Sequence, residues 1–118
     1  MDYRTAVLIS NKLRGESNAV TLLQTKDITA LYAYYFDNDI FKNYKELTAN
    51  LQKHNIYEIE NIADFKTLNP VNNPVIIFLQ TYEKETDNRQ IFDIFIANKF
   101  KLATSRAVKG VKITLLKK

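Results

Sequence analysis

Acidic residues are the first place to look for chemistry in this sequence, because clustered carboxylates bind hard cations. Glu83, Glu85 and Asp87 alternate along one polar stretch, and on an extended chain they could point at a single ion. The stretch lacks the central glycine and the distal glutamate of a calcium loop, and Lys84 and Arg89 reduce its negative charge. We interpret it as a solvated turn, and we predict no metal and no cofactor.

Other residue types that support catalysis are scarce. His54 is the single histidine and cysteine is absent, which excludes the usual zinc sites. We place His54 at the C-terminal end of a helix, where a cationic side chain interacts well with the helix dipole. Gly15 and Gly110 are the two glycines, so neither a P-loop nor a dinucleotide fingerprint can be assembled. The sequence therefore predicts a protein that is not an enzyme.

The distribution of charge is the feature that stands out. From Ile94 to the end the chain has seven basic residues and no acidic one. The other ten basic residues and all thirteen acidic residues precede Ile94, so the overall charge of +4 combines a mildly acidic body with a strongly basic C-terminal part. The candidate binding residues are these seven: Lys99, Lys101, Arg106, Lys109, Lys112, Lys117 and Lys118.

A basic surface on β-strands is typical of proteins that contact the phosphate backbone of nucleic acids. On strands, Lys99 and Lys101 would share one face, and Lys112 would lie opposite Ile113. Our first hypothesis is nucleic-acid binding with little sequence specificity, to DNA or RNA. The alternative is a protein-interaction module or inhibitor, of the kind found among small accessory proteins of phages and mobile elements, that docks on an acidic surface. Lysines that merely protect a sheet edge would give the same pattern.

Length and hydropathy bound the architecture. At 118 residues the chain is expected to form one domain, residues 1–118. Its apolar runs, of which Val75 to Leu79 is the most strongly aliphatic, are too short to cross a membrane. The N-terminus shows no signal peptide, and the lack of cysteine fits a reducing compartment, so we expect a cytoplasmic protein without membrane contact.

The same run defines the predicted core strand. It is followed by a polar break and by a second apolar segment from Ile91 to Ala97, which together predict a main β-hairpin at about 74–100. Gly110 predicts a turn into a final strand at about 111–117. Short apolar segments on either side of Gly15 predict an N-terminal hairpin, and a helix over residues 4–14 is the competing interpretation.

Helical periodicity fills the middle of the chain. Apolar residues recur at helical spacing across about 28–54, interrupted at Asp37-Asn38-Asp39, which predicts two helices with Asp27 and Asp39 as N-caps. Asn61 followed by Asp64 predicts a capped helix at about 62–68, after a short edge strand near Ile56. We therefore predict an α+β domain with an antiparallel sheet and two or three helices on one face.

Overall fold

A computed structural model describes residues 3–15, 19–81 and 84–118 of the chain. Within these ranges the chain forms a five-stranded mixed sheet in the order β2-β1-β3-β5-β4, together with six α-helices. The strands are β1 Val20–Leu23, β2 Ile56–Glu58, β3 Val75–Thr81, β4 Lys101–Val108 and β5 Val111–Lys117. The helices are α1 Arg4–Arg14, α2 Lys26–Phe36, α3 Asn38–Lys42, α4 Leu47–Gln52, α5 Ile62–Leu68 and α6 Glu85–Ala97.

Strand β3 lies at the centre of the sheet because its side chains are apolar on both faces. Ile77 and Leu79 pack into a cluster with α1, α2, α3 and α4, whereas Ile76 and Phe78 pack into a second cluster with α5 and α6. A strand covered on both sides needs such a continuous apolar run. We call these two sides of the sheet the α1 face and the α6 face.

The pairing of the strands divides the sheet into two halves. Strand β1 pairs in parallel with β2 on one side and with β3 on the other. Strand β5 pairs antiparallel with β3 and with β4, which leaves β4 at the edge. Parallel neighbours require long crossover connections, and the helices between β1, β2 and β3 supply them. A two-residue turn suffices for β4 and β5.

The predicted α+β class is confirmed, and so are several local features. Asn61 caps α5, and its side-chain oxygen accepts a hydrogen bond from the Asp64 backbone N–H at 2.9 Å. The Asp64 carboxylate in turn accepts from the Glu60 N–H at 3.0 Å. The edge strand near Ile56 and the final strand occur at their predicted positions. Asn55, just after the predicted helix end, has a positive φ of 61°.

Both predicted hairpins preceding the final strand are wrong. Residues 4–14 form helix α1, whose Ala6, Val7, Ser10 and Arg14 lie on one inward stripe, so the helical alternative was the correct one. The second segment of the predicted hairpin at 74–100 is helix α6, with Asn88, Ile91 and Phe95 buried at three- and four-residue intervals. Its β-branched and aromatic residues suit a strand by type, but their spacing also gives a helix a buried stripe.

The predicted arrangement of the helices and of the sheet needs four further corrections. The helices cover both faces of the sheet, not one face, and the sheet is mixed and not antiparallel. Helix α2 is capped by Thr25, whose hydroxyl accepts from the Ile28 N–H at 3.2 Å, and not by Asp27. Helix α3 is capped by Asp37 and not by Asp39, because the sharp turn falls immediately after α2.

No helix in the described part of the chain is long and apolar enough to span a bilayer.

Candidate binding surface

The seven basic residues lie along the C-terminal hairpin, but they point in different directions. Helix α6 ends at Ala97, and Lys99 follows in a turn with a φ of 72°, so it does not lie on a strand as predicted. Phe100 then returns to the core before β4 begins at Lys101. Lys109 occupies the turn between β4 and β5, with a φ of 47°. These two lysines therefore flank the hairpin at its two ends.

Three basic side chains share the α1 face. Lys101 and Lys117 are directly opposed cross-strand partners, and Arg106 is opposed to Ile113. Residues 113 and 117 are an even number apart on β5, so their side chains are on the same face, and Ile113 belongs to the α1-face cluster. All three basic side chains are exposed. We call Lys101, Arg106 and Lys117 the basic face.

The two remaining lysines lie on the opposite side of the sheet. The Lys112 ammonium lies 5.8 Å from the centre of the Phe92 ring, and the Lys118 ammonium lies 5.3 Å from the centre of the Phe100 ring. Both aromatic rings pack in or against the α6-face cluster. A cation held over an aromatic face gains electrostatic stabilisation there. Strand alternation therefore divides the predicted basic surface between two faces.

Strand β4 is unusual because nearly all of its eight side chains are exposed to solvent. Every side chain from Lys101 to Ala107 is exposed, whereas β3 is buried from its second residue to its last. The main packing partner of β4 is β5, and no helix covers its faces in the described chain. Leu102 is 55 % exposed on the α6 face. The hairpin therefore offers an open edge as well as its charges.

Sequence reasoning considered edge protection only as an alternative role for the lysines and did not predict strand β4 as an open edge. A usable signal was present in Ala103-Thr104-Ser105-Arg106-Ala107, which has β-compatible residues but no large apolar side chain on either alternate set. A strand without an apolar face has nothing to bury. Such a segment is therefore expected at an edge that no helix covers.

The crevice at the carboxyl ends of β1 and β3 is the usual ligand position in sheets that reverse their strand order. Here it is lined by Gln24, Thr25, Lys26, Asp27, Glu60 and Lys84. Two lysines and two carboxylates leave no net charge for an anion or a cation. The Gln24 side chain is already hydrogen-bonded within the protein: it donates to the Asn88 side-chain oxygen at 2.5 Å and accepts from the Thr81 N–H at 2.7 Å. This crevice contains a structural network.

The sequence did not reveal a buried polar cluster beneath α1. Arg14 lies 5.2 Å from the Phe36 ring and donates to the His54 carbonyl oxygen, and burial lowers the pKa of Arg14. The Tyr32 hydroxyl lies near the Ser10 and Thr21 hydroxyls without an aligned hydrogen bond, and burial raises the pKa of Tyr32. These contacts tie α1 to α2 and to the segment just after α4, and they tie α2 to β1.

The other residues considered for chemistry are dispersed. His54 lies just beyond α4, with its ring 5.1 Å from the Phe36 ring. Glu85 and Asp87 lie in the first turn of α6, where acidic residues favour the helix dipole, and Glu83 falls outside the described residues. Across the described ranges, no three His, Asp or Glu side chains gather as a metal site would require.

No family model, curated protein sequence or solved structure matches this chain. The basic face and the β4 edge are therefore the features from which a function can be inferred.

Proposed function

We propose that this chain is a non-enzymatic, cytoplasmic binding protein that docks on an acidic partner protein through the basic face. The observation that carries this proposal is the direct opposition of Lys101 and Lys117, whose side chains are both exposed. Like charges opposed across a strand pair destabilise the pair. Arg106, on the same face, adds a third positive charge to the same surface. Carboxylates of a partner would relieve this repulsion, so complex formation gains from an arrangement that costs stability in the free protein.

Nucleic acid is the second candidate partner, because phosphates would relieve the same repulsion. The separation of Lys112 and Lys118 onto the other face makes it the weaker candidate, since a phosphate backbone gains affinity with every contact it adds. An acidic protein surface needs fewer contacts, and charge complementarity there mainly raises the association rate.

The test compares two triple variants that remove the same charge. The first is Lys101→Gln with Arg106→Gln and Lys117→Gln. The matched control is Lys99→Gln with Lys112→Gln and Lys118→Gln. Oligoglutamate and duplex DNA are the two probes, and affinity is measured over a range of salt concentrations.

The basic-face variant should lose about tenfold in oligoglutamate affinity, or roughly 1.4 kcal/mol, while the control loses much less. Its thermal midpoint should not fall, because the substitution removes an opposed pair of like charges. Equal losses in both variants would mean that total charge, not the basic face, governs binding, and the proposal would fail. Binding of DNA but not of oligoglutamate, with a salt slope lowered by about 3 in the basic-face variant, would make nucleic acid the partner.

A further inference from the structure

The backbone of β4 has hydrogen-bonding groups that the fold leaves open. Strand β4 is the edge of the described sheet, and β5 pairs with one of its sides. Lys109 and Gly110 form a two-residue turn with φ values of 47° and 89°, the positive values that mirror-image hairpin turns require. In such a hairpin the closing pair, Val108 and Val111, exchanges both backbone hydrogen bonds.

The alternation of antiparallel pairing then fixes the direction of each backbone group. Arg106 and Thr104 bond inward to β5, as Val108 does, whereas Ala107 and Ser105 direct their N–H and C=O groups outward. The ladder is regular from Val108 to Thr104, and the bulge falls between Leu102 and Thr104. At least two residues of the free edge therefore present both a donor and an acceptor.

The chemistry of this edge selects among its potential occupants. A phosphate backbone can accept from the outward N–H groups but cannot satisfy the outward C=O groups. An extended polypeptide satisfies both, as in binding by strand addition. A second copy of this chain would bring together two C-terminal segments, each with seven basic residues and no acidic one. Lysines and bulges on an edge discourage pairing with other sheets, and this charge repels basic strands in particular.

We propose that the β4 edge binds an extended acidic segment of a partner protein as a sixth strand. This inference rests on the proposed function and specifies its mode. Side chains of the added strand alternate between faces. On the α1 face they meet Lys101 and Arg106, which favours Glu or Asp. On the α6 face they meet the exposed Leu102 and the small Ala107, which favours Val, Ile or Thr.

The probe is a synthetic peptide that alternates Glu with Val and Thr, and the control is a scrambled peptide of the same composition. Amide hydrogen exchange, followed by NMR, reports on the edge directly. In the free protein the Ser105 and Ala107 amides should exchange fast and the Arg106 amide slowly. The alternating peptide should slow exchange at Ser105 and Ala107 by at least about tenfold, because amides that are hydrogen-bonded in the complex are protected from exchange. The scrambled peptide should slow it far less.

Substitutions distinguish the contribution of the backbone N–H groups at the β4 edge from that of the basic side chains. Ser105→Pro removes an outward N–H without removing a hydrogen bond to β5, and edge strands tolerate proline. It should abolish binding of the alternating peptide, whereas Ser105→Ala, which keeps the N–H, should retain it. Ala107→Pro serves the same purpose if Ser105→Pro lowers the thermal midpoint.

Four results would overturn strand addition. The first is no binding of the alternating peptide at millimolar concentration. The second is binding that leaves the Ser105 and Ala107 amides fast; if the basic-face variant still lost affinity, the proposed function would survive without this mode. The third is slow exchange that depends on protein concentration and not on peptide, which would identify a second copy as the occupant. The fourth is equal protection of the same amides by duplex DNA.

Discussion

The buried side chain of Gln24 should contribute substantially to the stability of the fold. It is 1 % exposed and joins three elements, because it donates to Asn88 on α6 and accepts from the Thr81 N–H at the end of β3. Asn88 also donates to the Thr81 carbonyl oxygen at 2.9 Å, which closes the network. Gln24→Ala leaves the Thr81 N–H and the Asn88 side-chain oxygen without partners. Each buried unpaired group costs about 1–3 kcal/mol, so the variant with two such groups should lose about 2–6 kcal/mol.

Urea unfolding followed by far-UV circular dichroism measures this loss. The urea concentration at the midpoint of unfolding should fall. The slope of the unfolding free energy against urea concentration should stay constant, as expected for a change in native stability alone. Gln90→Ala is the matched control, since Gln90 is exposed on α6, and it should change the free energy of unfolding by less than about 0.5 kcal/mol. A similarly small loss for Gln24→Ala would refute the reasoning.

The pH dependence of Asn88→Asp tests the same network independently. Burial and the neighbouring Thr81 carbonyl oxygen would both favour the protonated acid and raise the folded-state pKa of the new carboxyl. Below the unfolded-state pKa of about 3.9 both states are protonated, and the acid can still donate to Thr81. As the pH rises above this value the unfolded chain ionises first, so the variant should lose stability relative to wild type. A pH-independent difference would contradict this expectation.

Two further substitutions test the packing on each side of the sheet. Phe78→Ala should cost about 3–5 kcal/mol of unfolding free energy, because Phe78 is fully buried on the α6 face; Tyr44→Ala, at a residue 71 % exposed, should cost little in the same urea assay. Tyr32→Phe should change stability by less than about 1 kcal/mol at neutral pH, because the hydroxyl it removes has no aligned hydrogen bond. Burial raises the folded-state pKa of Tyr32, so wild type should lose stability above about pH 10, where the unfolded tyrosine ionises, and Tyr32→Phe should lose less.

Features set by a few neighbouring residues could be predicted from the sequence. The Asn61 cap, the Gly110 turn and the final strand each depend on local backbone preferences, and each occurs where expected. The apolar run of β3 was also informative, because a strand covered on both faces must be apolar throughout.

The topology could not be predicted in the same way. Ile91, Ile94 and Phe95 suit a strand by type and a helix by spacing, and the choice is made by the sheet. Strands β3 and β4 both pair antiparallel with β5, so they run parallel to each other, and the segment between them must cross over one face of the sheet; α6 is this crossover. Information of this kind lies in the pairing of strands distant in sequence. The division of the lysines between two faces follows from the same pairing.

The C-terminal segment from Ile94 onward, which has no acidic residue, contains the open edge strand β4. This position gives its positive charge a specific physical role. An open edge would pair with many extended chains, including copies of itself, because backbone hydrogen bonding does not depend on sequence. Arg106 lies between Ser105 and Ala107, so its charge is next to both outward-facing pairs of backbone groups. A neutral strand would gain hydrogen bonds without favourable charge contacts, and a basic strand would be repelled. An acidic strand gains both, so the same residues that protect the edge from aggregation would select its partner.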